Sequence, residues 1–201
     1  MVQSIWLTRT VFGMAPAEAG WLRRHGLGDY DALARGDFGA PFKTKSSLEL
    51  YRLTDDAGHA LYLKRSTAPP KGQGWRWLLR TVRRMRLPHV EAFHVYLAAQ
   101  VLAAHGFEVM PVVAWGERRR FGVWPVGGVM LARGVAGHDA SRMYAEGNAY
   151  ERRCLMAAFG SYVARLHAKG FYFSLRMQDL FCDSRAAWET PPTRCLSLRD
   201  D

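Results

Sequence analysis

The feature that most constrains this chain is a change of hydrophobic period at Lys45. Leu48, Leu50 and Leu53 stand among polar residues in a run that includes Tyr51 and Arg52, the pattern of a strand. Asp55-Asp-Ala-Gly58 reads as a turn and Ala60-Leu-Tyr-Leu-Lys-Arg65 as a second strand, so residues 46–65 form a predicted hairpin. Val90, Phe93, Leu97, Val101 and Ala104 then recur at helical spacing, after Pro88 and up to Gly106. A longer helix is predicted from Asn148, a suitable cap, to Gly170, with Leu155, Phe159, Tyr162, Val163 and Leu166 as its buried stripe. Between the two helices, Phe107–Trp115 reads as a strand interrupted by Pro111. A turn over Gly116–Arg120, strand pieces at 121–124 and 128–133, and a further turn at Gly127-Gly128 follow. Hairpin, helix, strands and long helix, in that order, predict an α+β fold of two lobes, a mainly antiparallel sheet with one helix followed by a helical part. The weakly patterned residues 1–40, with short helices expected at Pro16–His25 and Asp29–Arg35, form an N-terminal helical extension. The sheet lobe then spans 41–135 and the helical lobe 136–201.

The charge is unevenly placed. Lys plus Arg outnumber Asp plus Glu by 28 to 18, a net +10, and between Ala57 and Val90 lie Lys64, Arg65, Lys71, Arg76, Arg80, Arg83, Arg84 and Arg86 without an acid. Such a local cationic segment implies a local anionic partner: phosphates, nucleic acid or a lipid surface. Trp75, Leu78, Leu79 and Val82 give the segment an amphipathic helical pattern. No run approaches the ~20 apolar residues that a membrane span needs. The first residues carry no continuous apolar stretch of signal-peptide type. The 3 cysteines, Cys154, Cys182 and Cys195, lack metal-ligand spacing, so a reducing cytosol is the expected compartment.

Four stretches, in this order, resemble the protein-kinase-like fold, and most closely the Kdo/WaaP lipopolysaccharide kinase family with its InaA-like and toluene-tolerance-type relatives. Leu61-Tyr-Leu-Lys-Arg65 looks like the family's lysine-bearing strand. Glu91 looks like the helix glutamate that pairs with that lysine. Ala104-Ala-His-Gly-Phe-Glu-Val-Met-Pro-Val-Val-Ala-Trp-Gly-Glu117 is similar to a family stretch ending in Gly-Glu, and Leu166-His-Ala-Lys-Gly-Phe-Tyr-Phe173 to the approach to the catalytic loop. The resemblance covers roughly residues 25–183 and implies a two-lobe kinase-like fold with a shortened helical lobe, binding ATP and Mg²⁺. Lys64 would then hold phosphates, and Glu91 would fix its ammonium through a charge-assisted hydrogen bond. A solvated strand lysine and a first-turn helix acid favoured by the macrodipole would carry the same letters. In place of a glycine-rich loop stands Lys43-Thr-Lys-Ser-Ser47, where Lys43, Lys45 and Ser46 could meet phosphates, or could form an ordinary basic loop.

The catalytic loop departs from the pattern. Kinases place an Asp there to accept the acceptor hydroxyl's proton. Counting from Gly170 puts Leu175 at that position, and counting back from Asp179-Leu-Phe puts Ser174 there. Some toluene-tolerance-type relatives carry a similar Tyr-Phe-x-Ser-Leu loop, which favours Ser174. Neither residue is an anionic base at neutral pH. Asp179 would be the surviving metal carboxylate, with a capping or surface aspartate as the alternative. Cys195-Leu-Ser-Leu-Arg-Asp-Asp201 looks like the family's next strand and the beginning of its turn, and Asp200 would then be a second metal ligand. Most of the family continues past that point, so a protein partner covering a short helical lobe is expected.

The resemblance further implies the function, ATP-dependent phosphoryl transfer to a heptose or Kdo hydroxyl of lipopolysaccharide core, and a location in the cytoplasm, peripheral at the inner membrane. Arg76, Arg80, Arg83, Arg84 and Arg86, with Trp75 and Trp77, would face lipid or sugar phosphates. Without the loop aspartate, transfer is expected to be absent or very slow. The alternative is a pseudokinase that binds nucleotide or a partner at the membrane surface without turnover. A nucleic-acid-binding protein using residues 64–86 as a basic helix is the third class. It has no helix-turn-helix or zinc-finger frame and no single-strand stacking motif behind it, so nucleic acid is not the expected partner.

Overall fold

The structure is a computed structural model that describes residues 8–45, 47–67, 89–122, 124–135, 137–172, 175–182 and 193–194. The chain divides into two compact units. One comprises Met1–Ala98 and Pro111–Gly134, the other Ala99–Met110 and Val135–Asp201. This differs from a lobe boundary at residue 135 alone, because residues 99–110 group with the second unit.

The first unit is built on an antiparallel sheet of β1 (Thr8–Met14), β2 (Lys43–Lys45), β3 (Leu48–Thr54), β4 (Ala60–Thr67), β5 (Val112–Arg120) and β6 (Trp124–Arg133), in the order β1-β5-β6-β4-β3-β2. The expected hairpin is β3–β4, with Leu50 opposite Lys64 and Tyr51 opposite Leu63. Alternation along β4 gives the sheet two different faces. Leu61 and Leu63 belong to a buried cluster with Leu22, Leu33, Tyr51, Val129 and Leu131. Leu22 and Leu33 come from α1 (Ala19–Arg24) and α2 (Tyr30–Arg35), so these two short helices cover that face. Lys64 and Ser66 point the other way, toward α3 (Glu91–Ala104).

Three strand arginines hold the α1–α2 layer in place. Arg65 Nε donates to the Leu33 carbonyl at 2.7 Å, and its guanidinium lies over the Phe38 and Tyr51 rings. Arg118 forms two bonds to the Asp31 carboxylate, at 2.9 and 2.6 Å, and covers Tyr30, whose phenol burial pushes up to about 12. Arg133 joins Glu18 at 2.8 Å and Asp55 at 2.6 Å. Lys64 and Arg65 are therefore parts of the fold, and the cationic run does not continue as one helix through residues 64–86. Residues 60–67 are strand.

Four expectations are corrected here. Residues 1–40 are not only a helical extension, because Thr8–Met14 forms β1 and pairs with β5 from Thr8↔Arg120 to Met14↔Ala114. Gly116–Arg120 is strand rather than turn. The reversal falls after it, where Phe121 (φ 54°) and Gly122 (φ 73°) take the left-handed conformation. Gly127 and Gly128 also lie inside a strand, because their neighbours leave no room for a side chain. A Cβ on Gly128 would stand 2.1 Å from Val90 Cγ2, and one on Gly127 would stand 2.9 Å from the Tyr30 hydroxyl. The strand expected from Phe107 begins only at Val112, after Pro111.

The second unit contains β7 (His138–Asp139), α4 (Ala140–Glu146), α5 (Ala149–Ala168), a 3₁₀ turn (Met177–Asp179), β8 (Leu180–Cys182) and β9 (Thr193–Arg194). The three strands form a small antiparallel sheet in the order β7-β8-β9. Asn148 caps α5 as expected: its Oδ1 accepts from the Tyr150 and Glu151 amides, while Glu151 accepts from the Asn148 amide at 2.8 Å. Leu155, Tyr162 and Leu166 of the predicted stripe are buried. Phe107 meets Tyr162 edge-on and Phe171 meets both Phe107 and His105, which seats the chain leaving α5. Gly170 closes the helix with φ 79°. Among the described residues, no helix is long and apolar enough to cross a membrane.

Candidate functional site

Lys64 and Glu91, expected to pair, meet at 2.8 Å between Nζ and Oε1. Lys64 is fully buried, whereas the Glu91 side chain is 40% exposed. Burial follows from position. Lys64 sits on β4, flanked by Leu50 of β3 and Met130 of β6. A lysine in that place loses its hydration and needs a partner carboxylate to remain charged. Glu91 supplies it from the first turn of α3, where a carboxylate is also favoured by the helix dipole. The reading of Lys64 as a solvated lysine is thereby excluded.

Lys43 and Lys45 lie on the same face as Lys64. Lys43 pairs with Leu50, which pairs with Lys64, and Lys45 pairs with Leu48, which pairs with Ser66. Each step across an antiparallel sheet is about 5 Å, so Lys43 and Lys64 are placed roughly 10 Å apart along one row. This face can present several cations to one polyanion. Ser46 is outside the described residues, as are Arg76, Arg80, Arg83, Arg84, Arg86, Ser174 and Asp200.

The start of α3 is held by residues to which the sequence assigned no role. The His94 amide donates to the Val90 carbonyl at 3.0 Å, which makes Val90 the capping residue of α3. Its side chain has no acceptor to offer. Two residues of the sheet take over that task. Glu117 of β5, 2% exposed, accepts from the Val90 amide at 2.9 Å, and Ser66 of β4 accepts from the Ala92 amide at 3.1 Å. The second oxygen of Glu117 receives Arg119 Nε at 2.6 Å and lies 3.1 Å from His89 Nδ1. Arg119 Nη2 is also 2.8 Å from that nitrogen. No Ser, Thr, Asp or Asn stands just before this strongly periodic helix, an absence that fits a cap from outside but does not say which residues supply it.

In the second unit, Asp179 closes the 3₁₀ turn and is 5% exposed. Its carboxylate accepts from the Arg176 amide at 3.1 Å, from Arg176 Nε at 3.3 Å and from Nη2 at 3.2 Å. Tested as a magnesium ligand, Asp179 does not fit in this arrangement, because the Arg176 cation holds the oxygens a metal would need. Among the described residues, no group of three or more His, Cys, Asp or Glu side chains could hold a metal ion.

The architecture is α+β, with an antiparallel sheet and few helices. Among solved structures, the chain is similar to WaaP in complex with acyl carrier protein, at 18% identity and a TM-score of 0.42, over 75% of this chain and 53% of that one. It is also similar to an apo pseudokinase, at 12% identity and 0.36, over 82% and 58%. A third likeness is to a rhoptry antigen kinase domain of Toxoplasma gondii, at 13% and 0.36, over 78% and 47%. The matched part thus spans about half the length of those chains. No protein-family model matches the sequence. No curated protein matches it either.

Proposed function

We propose that this chain is a kinase-like nucleotide-binding protein of the lipopolysaccharide-kinase type, in which Lys64 and Glu91 form the phosphate-holding pair. The observation that carries the reading is the pair itself: a fully buried strand lysine whose ammonium is fixed at 2.8 Å by the first-turn glutamate of the next helix. Phosphoryl transfer depends chiefly on positioning and charge neutralisation, which such a pair supplies to a nucleotide. Lys43, Lys45 and Ser46 would add cations and donors along the same edge of the site. When bound, ATP would supply the transferable phosphoryl group. The acceptor would be a heptose or Kdo hydroxyl of lipopolysaccharide core, reached from the cytoplasmic face of the inner membrane. Arg76, Arg80, Arg83, Arg84 and Arg86 would hold the anionic surface, and a protein partner would cover the helical part.

The pseudokinase reading has an observation in its favour. Asp179, the candidate metal carboxylate, is bonded by Arg176, and the loop offers Ser174 or Leu175 where a base belongs. Nucleotide capture without turnover follows from that combination. The deciding experiment is titration of the native chain with a fluorescent ATP analogue, with and without magnesium, beside Lys64→Ala. Binding lost in the variant supports the reading, and equal binding by both proteins sinks it.

The membrane component has its own test. Each basic residue near an anionic surface contributes about 1 kcal/mol, so changing Arg80, Arg83, Arg84 and Arg86 to Gln should release the protein from anionic vesicles. Salt at ~1 M, where the Debye length is about 3 Å, should do the same. Retention under both conditions would remove this part of the proposal.

A further inference from the structure

We propose that Ser66 and Glu117 are positioning residues for the Lys64–Glu91 pair, acting as an external cap that sets the first turn of α3 on the sheet. This inference rests on the reading of Lys64 as a nucleotide-holding residue.

A helix start ordinarily satisfies its leading amides with the side chain of its own capping residue. Val90 cannot do this, and its isopropyl group instead fills the space left by Gly128, where a Cβ would stand 2.1 Å away. The leading amides are met from two strands. Ser66 lies two residues from Lys64 on β4, on the same face, and takes the Ala92 amide at 3.1 Å. Glu117 on β5 takes the Val90 amide at 2.9 Å. Glu91 stands between these two amides in sequence. The strand that carries the lysine therefore also grips the turn that carries its partner, and the next-but-one strand grips the other side.

This arrangement links the pair to the register of the sheet. A helix capped by its own residues could slide or rotate over the sheet without losing its cap. Here any displacement of Glu91 from Lys64 also strains the Ser66 and Glu117 bonds. Glu117 adds a charge effect, since a buried carboxylate at a helix start opposes the positive end of the dipole. Arg119, bonded to the same carboxylate at 2.6 Å, offsets its charge within the buried cluster. His89 borders this cluster at 3.1 Å from Glu117, with Phe93 stacked on it and the His94 ring beyond.

The experiment compares the native chain with Ser66→Ala and Ser66→Thr. Ser66 is preferred to Glu117 as the first target, because removing Glu117 also takes away the buried carboxylate to which Arg119 is bonded. Glu117→Gln is the second variant, since it keeps an oxygen for the Val90 amide while giving up the charge and the oxygen that receives Arg119 Nε. Two quantities are read: amide hydrogen exchange at Val90, Ala92 and the first turn of α3, and affinity for a fluorescent ATP analogue. Loss of one capping bond should speed exchange at Ala92 by about 5- to 10-fold. The analogue should bind more weakly by a similar factor, and Ser66→Thr should restore both. Unchanged exchange in Ser66→Ala would overturn the cap. Faster exchange with unaltered affinity would leave a merely structural cap and overturn the positioning role. If the native chain binds no nucleotide, the proposed function fails by itself. The exchange measurement on the same variants then still decides the cap, a localised rise supporting it and no rise overturning it.

Discussion

The Lys64–Glu91 and Arg176–Asp179 pairs each join a carboxylate to a basic side chain, and they are built differently. Glu91 is offered to Lys64 from another element, and its own side chain remains 40% exposed while the lysine is fully buried. Asp179 is engaged by Arg176, three residues earlier on the same turn, and is itself 5% exposed. The first pair leaves a carboxylate open on one side and a cation immobilised beneath it, an arrangement that an incoming phosphate can use. The second is closed on itself, with the carboxylate satisfied before any metal arrives. Under the proposed function, the pair that would hold nucleotide and the carboxylate that would hold metal are not equally complete in this chain.

The largest effect bears on turnover. General-base assistance contributes about 10²–10⁴-fold, and under the proposed function Ser174 or Leu175 would stand where that base belongs. Transfer of labelled γ-phosphate to purified lipopolysaccharide core should therefore be at or near background. Ser174→Asp combined with Arg176→Ala supplies a carboxylate and releases Asp179. If those are the only defects, transfer should rise by at least about 10²-fold. Robust transfer by the native chain, abolished in both Lys64→Ala and Asp179→Asn, would break the comparison and establish an enzyme with another base.

The next effect sharpens the comparison through stability. Glu91→Ala removes a carboxylate partner from a buried cation and should cost about 3–5 kcal/mol in denaturant unfolding. Lys64→Met replaces that cation with an apolar side chain of similar length, and the carboxylate it leaves behind is only partly buried, with Oε1 covered and the side chain as a whole 40% exposed. Its cost should be smaller than that of Glu91→Ala, while nucleotide binding is lost. Equal costs for the two substitutions would mean that Lys64 is not held as a buried cation.

How much of this was legible in the sequence differs by residue. The β3–β4 hairpin was readable because Leu48, Leu50, Tyr51, Leu61 and Leu63 all serve buried faces, and the Lys64–Glu91 pair only through the resemblance of their strand and helix to a kinase-type lobe. β1 was not readable. Thr8–Val11 are exposed and Phe12–Met14 half-buried, so no two-face alternation marks the strand. Gly116, Gly127 and Gly128 were read as turn residues, since glycine is the commonest turn signal. Their actual cause is close approach by Tyr30, Val11 and Val90, which come from distant parts of the chain. Ser66 and Glu117 were missed for a related reason: a cap supplied across a sheet leaves no local spacing to find. Ser46, Ser174, Asp200 and the arginines from Arg76 to Arg86 lie outside the described residues, so their roles rest on sequence alone.

The smallest effect isolates what an external cap does that a local one does not. Asn148 caps α5 through a capping box contained within four successive residues, its bonds running between Asn148, Tyr150 and Glu151. Asn148→Ala should cost about 1 kcal/mol of stability. Its faster amide exchange should be confined to the first turn of α5, at Tyr150 and Glu151. Affinity for the ATP analogue should stay at the native value. Ser66→Ala removes a bond of the same kind and should cost a similar amount, yet weaken the analogue measurably. Two substitutions matched in stability and opposite in their effect on binding would separate a cap that finishes a helix from one that aims it. Should Asn148→Ala weaken nucleotide binding as much as Ser66→Ala, the loss would track general stability. The distinction between the two helix starts would then carry no functional meaning.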